Sequence, residues 1–222
     1  MRGEISSAKF AKRHPLDWYV EQGWEWAQIV RAIGLEEQDD GAGIWDPACG
    51  YGHSLSWLQG ICGFTGELIA SDVVDNLARD DFDAPPEFRS LDFLDDLKAV
   101  PPAACSIWSN PPFSYKKVDG EIISQAFVRQ ALRLATHRVV FLLPLKWLAG
   151  QSRGQFLREH PPQTVLLFGQ RPSMPPGDRI HLMGNRAYSG GMVDYCAVVW
   201  NQRVATLPGE TRTVWLPPLG GR

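Results

Sequence analysis

The chain has 222 residues, 44% of them hydrophobic and 21% charged, which are the proportions of an ordinary globular domain with enough chain for a full core. No apolar run approaches the roughly 18 residues of a membrane helix, Met1 to Ser7 hold no apolar signal core, and Cys49, Cys62, Cys105 and Cys196 form no Cys-x-x-Cys pair. The composition therefore argues against a membrane-spanning, a secreted or a zinc-held protein, and the expectation is a cytoplasmic chain with reduced thiols and no metal. The net charge of −3 is unevenly placed: residues 1–111 hold 8 Lys/Arg and 19 Asp/Glu, a balance of −11, and residues 112–222 hold 14 and 6, a balance of +8. Such an asymmetry suggests an anionic partner for the second half, although two solvated surfaces would give the same count.

Residues 1–13 read as a polar, mobile lead-in. A helix is expected to open at Asp17-Trp18-Tyr19 and to run through Trp24, Ala27, Ile29, Val30 and Ile33 to Gly34. Glu36 to Gly43 is an acidic loop. Gly43-Ile44-Trp45 is a short strand that runs into Asp46-Pro47-Ala48-Cys49-Gly50-Tyr51-Gly52, where two glycines between a strand and a helix let backbone approach a ligand closely. The helix continues through Leu55, Leu58 and Ile61. Glu67 to Asp72 is a second strand with an acid just past its end, a place from which a carboxylate can accept bonds from ribose hydroxyls; a solvated turn aspartate is the plainer alternative. Phe88 to Leu91 is a third strand, followed by Asp92-Phe93, which either bond and cover a flat ring or are a helix cap beside a core Phe.

Ala103 to Trp108 is a buried strand that ends in Asn110-Pro111-Pro112-Phe113. Two prolines remove two backbone donors and fix φ, so pairing must stop there. Asn110, preceding a proline, is held extended. The product is a stiff loop offering free carbonyls, one amide side chain and an aromatic face, suited to a flat molecule that carries an amino group. Ser114 to Gly120 is a basic loop, and Glu121 to Ala135 has helical periodicity. Arg138 to Pro144 is a buried strand, Gln155 to Glu159 a short helix, and Thr164 to Phe168 a strand. Gln170 to Gly191 is a long polar loop with Arg171, Arg179, His181 and Arg186. Asp194 to Trp200 is a last strong strand, and Val214-Trp215-Leu216 adds an edge strand or packs a helix.

Strands alternating with helical segments predict an α/β fold, a mostly parallel sheet covered by helices on both faces. Gly50, Asp72, Asp92 and Asn110 all fall just past successive strand ends, where such sheets bind ligands. One ligand can touch all four loops.

With Asp46 to Gly52 as the first motif and Asn110 to Phe113 as the second, residues 17–200 resemble the S-adenosylmethionine-dependent methyltransferases that act on amino groups, most closely the adenine-N6 DNA methyltransferases of small, stand-alone, phage-like type. The resemblance implies a Rossmann-like class I fold, with a seven-stranded sheet whose last strand is antiparallel; the chain is expected to be a single domain over 1–222, departing from family members that carry a separate target-recognition domain. It implies S-adenosylmethionine as cofactor and S-adenosylhomocysteine as product. Tyr19, Asp46, Pro47, Ala48, Cys49, Gly50, Gly52, Asp72, Asp92, Phe93 and Asn110 would hold that cofactor. Asn110, Pro111, Pro112 and Phe113 would be catalytic, acting on adenine in DNA that is flipped out or single-stranded. Lys116, Lys117, Arg171, Arg179 and Arg186 are candidates for contacting the nucleic acid. Where the family often has Thr-Pro or Glu-Pro after the first aromatic segment, this chain has Glu21-Gln22. Ribosomal RNA bases and a protein glutamine amide are alternative acceptors for the same loop, and a non-catalytic cofactor-binding subunit is the alternative outside enzymes.

Overall fold

The computed structural model describes residues 14 to 219, apart from 15, 38–40, 97, 102–104 and 114–116; the lead-in expected over 1–13 and the candidate Lys116 lie outside the described residues, and Lys117 is described by its backbone alone.

The sequence is richest in buried apolar runs at Gly43–Asp46 (β1), Cys105–Ser109 (β4) and Arg138–Pro144 (β7), and every residue of these three strands is buried. Such unbroken runs mark strands covered on both faces. They form the middle of an eight-stranded sheet completed by Leu68–Asp72 (β2), Glu87–Ser90 (β3), Thr164–Leu167 (β8), Tyr195–Asn201 (β9) and Arg212–Trp215 (β10), in the order β10-β8-β9-β7-β4-β1-β2-β3. All neighbours pair parallel except β9, which runs against both β7 and β8. The register places Trp45 of β1 opposite Ile69 of β2 and Ile107 of β4. The sheet thus has one strand more than the seven expected: Arg212–Trp215 is the parallel edge strand beside β8.

Alternate residues of the central strands build two cores. On one face Ile107, Phe141 and Val198 pack against Phe127, Val128 and Ala131 of the helix Ile123–Leu134 (α3). On the other, Trp108, Val140 and Val199 meet Trp26 and Ile29 of Trp24–Ile33 (α1) and Leu55 and Leu58 of His53–Gly60 (α2). From β1 the chain moves outward through β2 to β3 and then returns to place β4 on the other side of β1. That reversal leaves a crevice beyond the ends of β1 and β4.

Two local expectations are corrected. The first helix does not open at Asp17 but at Trp24. Before it, Tyr19 forms an antiparallel bridge with Pro176, and the Val20 N–H donates to the Pro175 carbonyl at 3.0 Å, so that backbone is committed to a partner outside any helix. Gly23, at φ 95°, makes the turn into α1, and a Cβ there would lie 2.0 Å from the Trp57 ring. In the acidic segment after α1, Glu37 is wholly buried and paired with Arg138, the first residue of β7. The stretches expected to be irregular also hold structure. Lys117–Val118 (β5) and Glu121–Ile122 (β6) form a hairpin around Asp119-Gly120, both at positive φ. The polar segment after β8 folds as a 3₁₀ turn at Gly177–Arg179, a single helical turn at Ile180–Met183 and a second 3₁₀ turn at Gly184–Arg186.

Candidate active site

Asp46 ends β1 and enters the loop that the glycines make possible. Its side chain is fully buried and accepts three bonds: from Ser54 Oγ at the start of α2, from Ser109 Oγ at the end of β4 at 2.7 Å, and from the Ala48 N–H at 3.1 Å. It therefore ties the loop to two neighbouring elements. Burial pushes its pKa up to about 7 against the pull of those bonds. Asp72, at the end of β2, accepts from the Gly50 N–H at 2.9 Å and from the Val73 N–H at 2.7 Å, and burial raises its pKa from the ordinary aspartate value. Behind it the Trp45 indole donates to Ser71 Oγ at 2.8 Å. Gly50 has φ 51°, and Trp18 lies so close that a Cβ there would sit 2.7 Å from its Nε1. The Cys49 thiol is driven far up by burial and by Asp46, Asp72 and Asp75, which leaves it without nucleophilic character.

These groups wall a cleft of about 490 Å³ at the crevice between β1 and β4. Asp46 to Gly50 form one side and Asp72 the next. Asp92 and Phe93 follow from beyond β3, Asn110 and Pro112 from beyond β4, and the strap Leu16–Glu21, which contains Tyr19, completes the wall. The volume is in the range of sites for cofactor-sized ligands. Asp92 is exposed, its Oδ1 accepting from the Leu94 N–H at 3.0 Å, whereas Phe93 is 1% exposed and edge-on to Trp45, so it belongs to the core as much as to the cleft wall.

Asn110 is held with unusual definition. Its Nδ2 donates to the Tyr19 carbonyl at 3.1 Å and to Glu21 Oε2 at 2.9 Å. Both partners can only accept there, so the amide orientation is fixed. Its Oδ1 is buried and has no hydrogen-bond partner among the described residues. Pro111 is buried, and Phe113 stacks on Tyr19 at 5.8 Å with 22° between the rings, its edge toward Tyr195 at 5.7 Å.

Not every candidate residue reaches the cleft. Gly52, at φ 82°, starts α2, and a Cβ there would meet Leu77 at 2.5 Å and Phe82 at 3.0 Å; its need is packing and turn geometry rather than approach to a ligand. Arg171 pairs with Asp194 at 2.7 Å, Arg179 lies 3.6 Å from Asp178, and Arg186 is exposed in its 3₁₀ turn; none of the three lines the cleft. Sequence reasoning passed over Glu21, Ser54 and Ser109. Ser109 directly precedes Asn110 and Ser54 opens the helix after the glycine loop, but a serine at either place carries no signal until the two strands are seen side by side. Glu21 was visible only as a departure from the family pattern.

Among the described residues no cluster of three or more His, Cys, Asp or Glu side chains is placed to hold a metal ion, and no helix is long and apolar enough to cross a membrane.

No family model and no curated protein matches the sequence. Solved structures do. A Listeria monocytogenes protein assigned to the class I S-adenosylmethionine-dependent methyltransferases superposes with a TM-score of 0.63 at 15% identity, over 88% of this chain and 66% of its own. The methyltransferase subunit of a type I restriction-modification system from Streptococcus thermophilus gives 0.61 at 14% identity, over 90% of this chain and 47% of its own. DrdV, in a complex with DNA, gives 0.59 at 12% identity, over 90% of this chain and 28% of its own. The chain thus spans from about a quarter to two thirds of these proteins, and at such identities the likeness is one of architecture: the fold is that of the class I methyltransferases.

Proposed function

We propose that the chain binds S-adenosylmethionine in this cleft and transfers its methyl group to the exocyclic amino nitrogen of adenine in DNA. The observation that carries the reading is Asn110: a fixed amide whose oxygen is buried with no partner among the described residues, in a cleft that offers backbone at Gly50 and carboxylates at Asp72 and Asp92. The residues present suit the cofactor. Each Asp72 oxygen accepts one backbone N–H and keeps lone pairs for ribose hydroxyls. Asp92 stands exposed to bond a base edge, with Phe93 beside it, and Tyr19, Pro47, Ala48 and Cys49 supply wall contacts.

When bound, S-adenosylmethionine supplies an electrophilic methyl group on a sulfonium. The chain has to prepare the nucleophile. The amino nitrogen of adenine is weak because its lone pair is delocalised into the ring. Asn110 Oδ1 and the Pro111 carbonyl accept its two N–H bonds, which favours a pyramidal nitrogen with its lone pair toward the methyl group. Positive charge that develops on nitrogen then meets dipoles already in place. Phe113 stacks on the base, a contact worth about 1–3 kcal/mol, and offsets part of the few kcal/mol needed to take a base out of a duplex. Pro112 keeps the loop stiff. For DNA as acceptor the support is twofold: the basic excess of residues 112–222, including Lys116, Lys117, Arg171, Arg179 and Arg186 as phosphate contacts, and the restriction-modification and DNA-bound proteins among the structural neighbours.

The test offers labelled S-adenosylmethionine with duplex DNA, single-stranded DNA, ribosomal RNA and protein extract, and identifies the product by mass. N6-methyladenine from DNA is expected with the wild type. With Asn110→Ala, transfer should disappear while cofactor affinity stays within about threefold, since the residue contributes to the transition state rather than to ground-state binding. Label in RNA or protein overturns the acceptor, and normal turnover by Asn110→Ala overturns the mechanism.

A further inference from the structure

Glu21 lies in the strap before α1 and is 5% exposed. Its two carboxylate oxygens divide their work: Oε1 accepts the indole N–H of Trp26 at 2.9 Å, and Oε2 accepts from Asn110 Nδ2 at 2.9 Å. Its backbone carbonyl lies 2.8 Å from Nδ1 of His53 at the start of α2, which anchors this point of the strap. An indole nitrogen and an amide nitrogen are donors only, so a carboxylate is the side chain of this length that satisfies both. A glutamine could serve one of them only by turning its own NH₂ against the other.

We propose that Glu21 is the positioning residue of this site, setting and polarising the Asn110 amide so that Oδ1 faces the acceptor's amino group; this rests on the methyl-transfer reading above. Three consequences of the geometry support it. With the Tyr19 carbonyl, Glu21 makes the reversed amide impossible, because reversal would set Oδ1 against two acceptors. A bond from Nδ2 to a carboxylate draws electron density through the amide onto Oδ1, which becomes the stronger acceptor. The carboxylate also places a negative group one amide away from the nitrogen that gains positive charge during transfer. Glu21 does not touch the reacting atoms; it acts through Asn110.

The experiment compares Glu21→Gln, Asn110→Asp and the double variant Glu21→Gln/Asn110→Asp, with kcat and cofactor dissociation constant measured separately. Glu21→Gln should lower kcat on the order of 10²-fold and leave cofactor affinity within about threefold. Asn110→Asp faces one carboxylate with another and should lose more. In the double variant the introduced glutamine donates through its NH₂ to the new carboxylate while its oxygen accepts from Trp26, so kcat should rise about tenfold above Asn110→Asp alone. A purely structural role for Glu21 predicts no such rescue. Wild-type kcat in Glu21→Gln, or a double variant no better than Asn110→Asp, overturns the proposal. A second readout is independent of turnover: the Asn110 side-chain amide resonances should be slow to exchange in the wild type and lose that protection in Glu21→Gln. If the wild type transfers methyl to nothing, the function proposed above falls, and these resonances alone decide Glu21, their persistence in Glu21→Gln overturning it.

Discussion

Three buried carboxylates near the strap and cleft differ in the donors they meet. Glu21 has two donors and Asp46 has three. Glu25 Oε2 accepts the Gly23 N–H at 2.9 Å, while its Oε1 is buried with no hydrogen-bond partner among the described residues. Burial raises Glu25 to about 8, as it raises Asp46, with the neighbouring Glu21 adding to it. The sign follows from linkage. An acid whose folded pKa lies above its unfolded 4.5 binds more protons when folded, so its contribution is fully present below pH 4.5 and is lost as pH rises toward 8. Glu25→Gln keeps the acceptor for Gly23 and removes the titration. The variant should be more stable than wild type at pH 8 by roughly 2–4 kcal/mol, at about 1.4 kcal/mol per pH unit, and nearly equal to it at pH 4.5; denaturant melts at the two pH values check this. At this scale the sequence was legible where chemistry and spacing coincide, as at Asp46, Asp72 and Asn110. It was not legible for Glu21 or Glu25, whose burial depends on Trp26 and on the return of a distant loop.

The strap is the element that the periodicity misassigned. Asp17-Trp18-Tyr19 reads as the opening of a helix, but the Trp18 backbone meets a partner more than 150 residues away: the Gly177 N–H donates to the Trp18 carbonyl at 3.0 Å, and the Tyr51 hydroxyl in turn donates to the Gly177 carbonyl at 3.1 Å. A Cβ at Gly177 would fall 2.2 Å from the Trp18 ring, so only glycine lets the strap lie flat. Gly177→Ala should push Trp18 outward, loosen the wall it forms with Gly50 and raise the cofactor dissociation rate about tenfold, with a melting temperature within a few degrees of wild type; stopped-flow displacement measures this. An unchanged rate would show that the strap does not control exchange. No window of local sequence carries such a contact, whereas the β5–β6 hairpin was announced by its Asp-Gly pair and was overlooked under the basic residues before it.

Across the whole molecule, the alternation of strands and helices disclosed the parallel sheet and the crevice, because strands buried on both faces write themselves as apolar runs. The eighth strand was harder to see: Arg212–Trp215 is an edge, mostly exposed, with no buried face to impose a period. The deepest polar feature was hidden altogether. At the opposite end of the central strands from the cleft, Arg138 donates to Glu37 and to the carbonyls of Ile33 and Gly34, while Ser106 and Trp108 also donate to Glu37. Burial alone would raise Glu37, yet the bonds from Arg138 and Ser106 outweigh it and its pKa falls. The network ties the end of α1 to the starts of β4 and β7. Arg138→Leu, which leaves Glu37 buried without its cation, should cost about 3–5 kcal/mol, and Glu37→Leu/Arg138→Leu should recover roughly half of that loss, as judged by denaturant unfolding. Equal losses in both variants would mean that the bonds from Ser106 and Trp108 matter more than the ion pair. The oxygen of Asn110, at the other end of the same strands, shows the reverse arrangement. An acceptor buried with no donor among the described residues costs about 1–3 kcal/mol, and the rest of the fold bears that burden. Only a guest with a hydrogen to give can relieve it. If adenine is the acceptor, as proposed above, a ring bearing an oxo group in place of its amino group would bring a second lone pair to the same point, so the site would refuse hypoxanthine by repulsion before any chemistry began, and choice among bases would be settled by a bond left unmade.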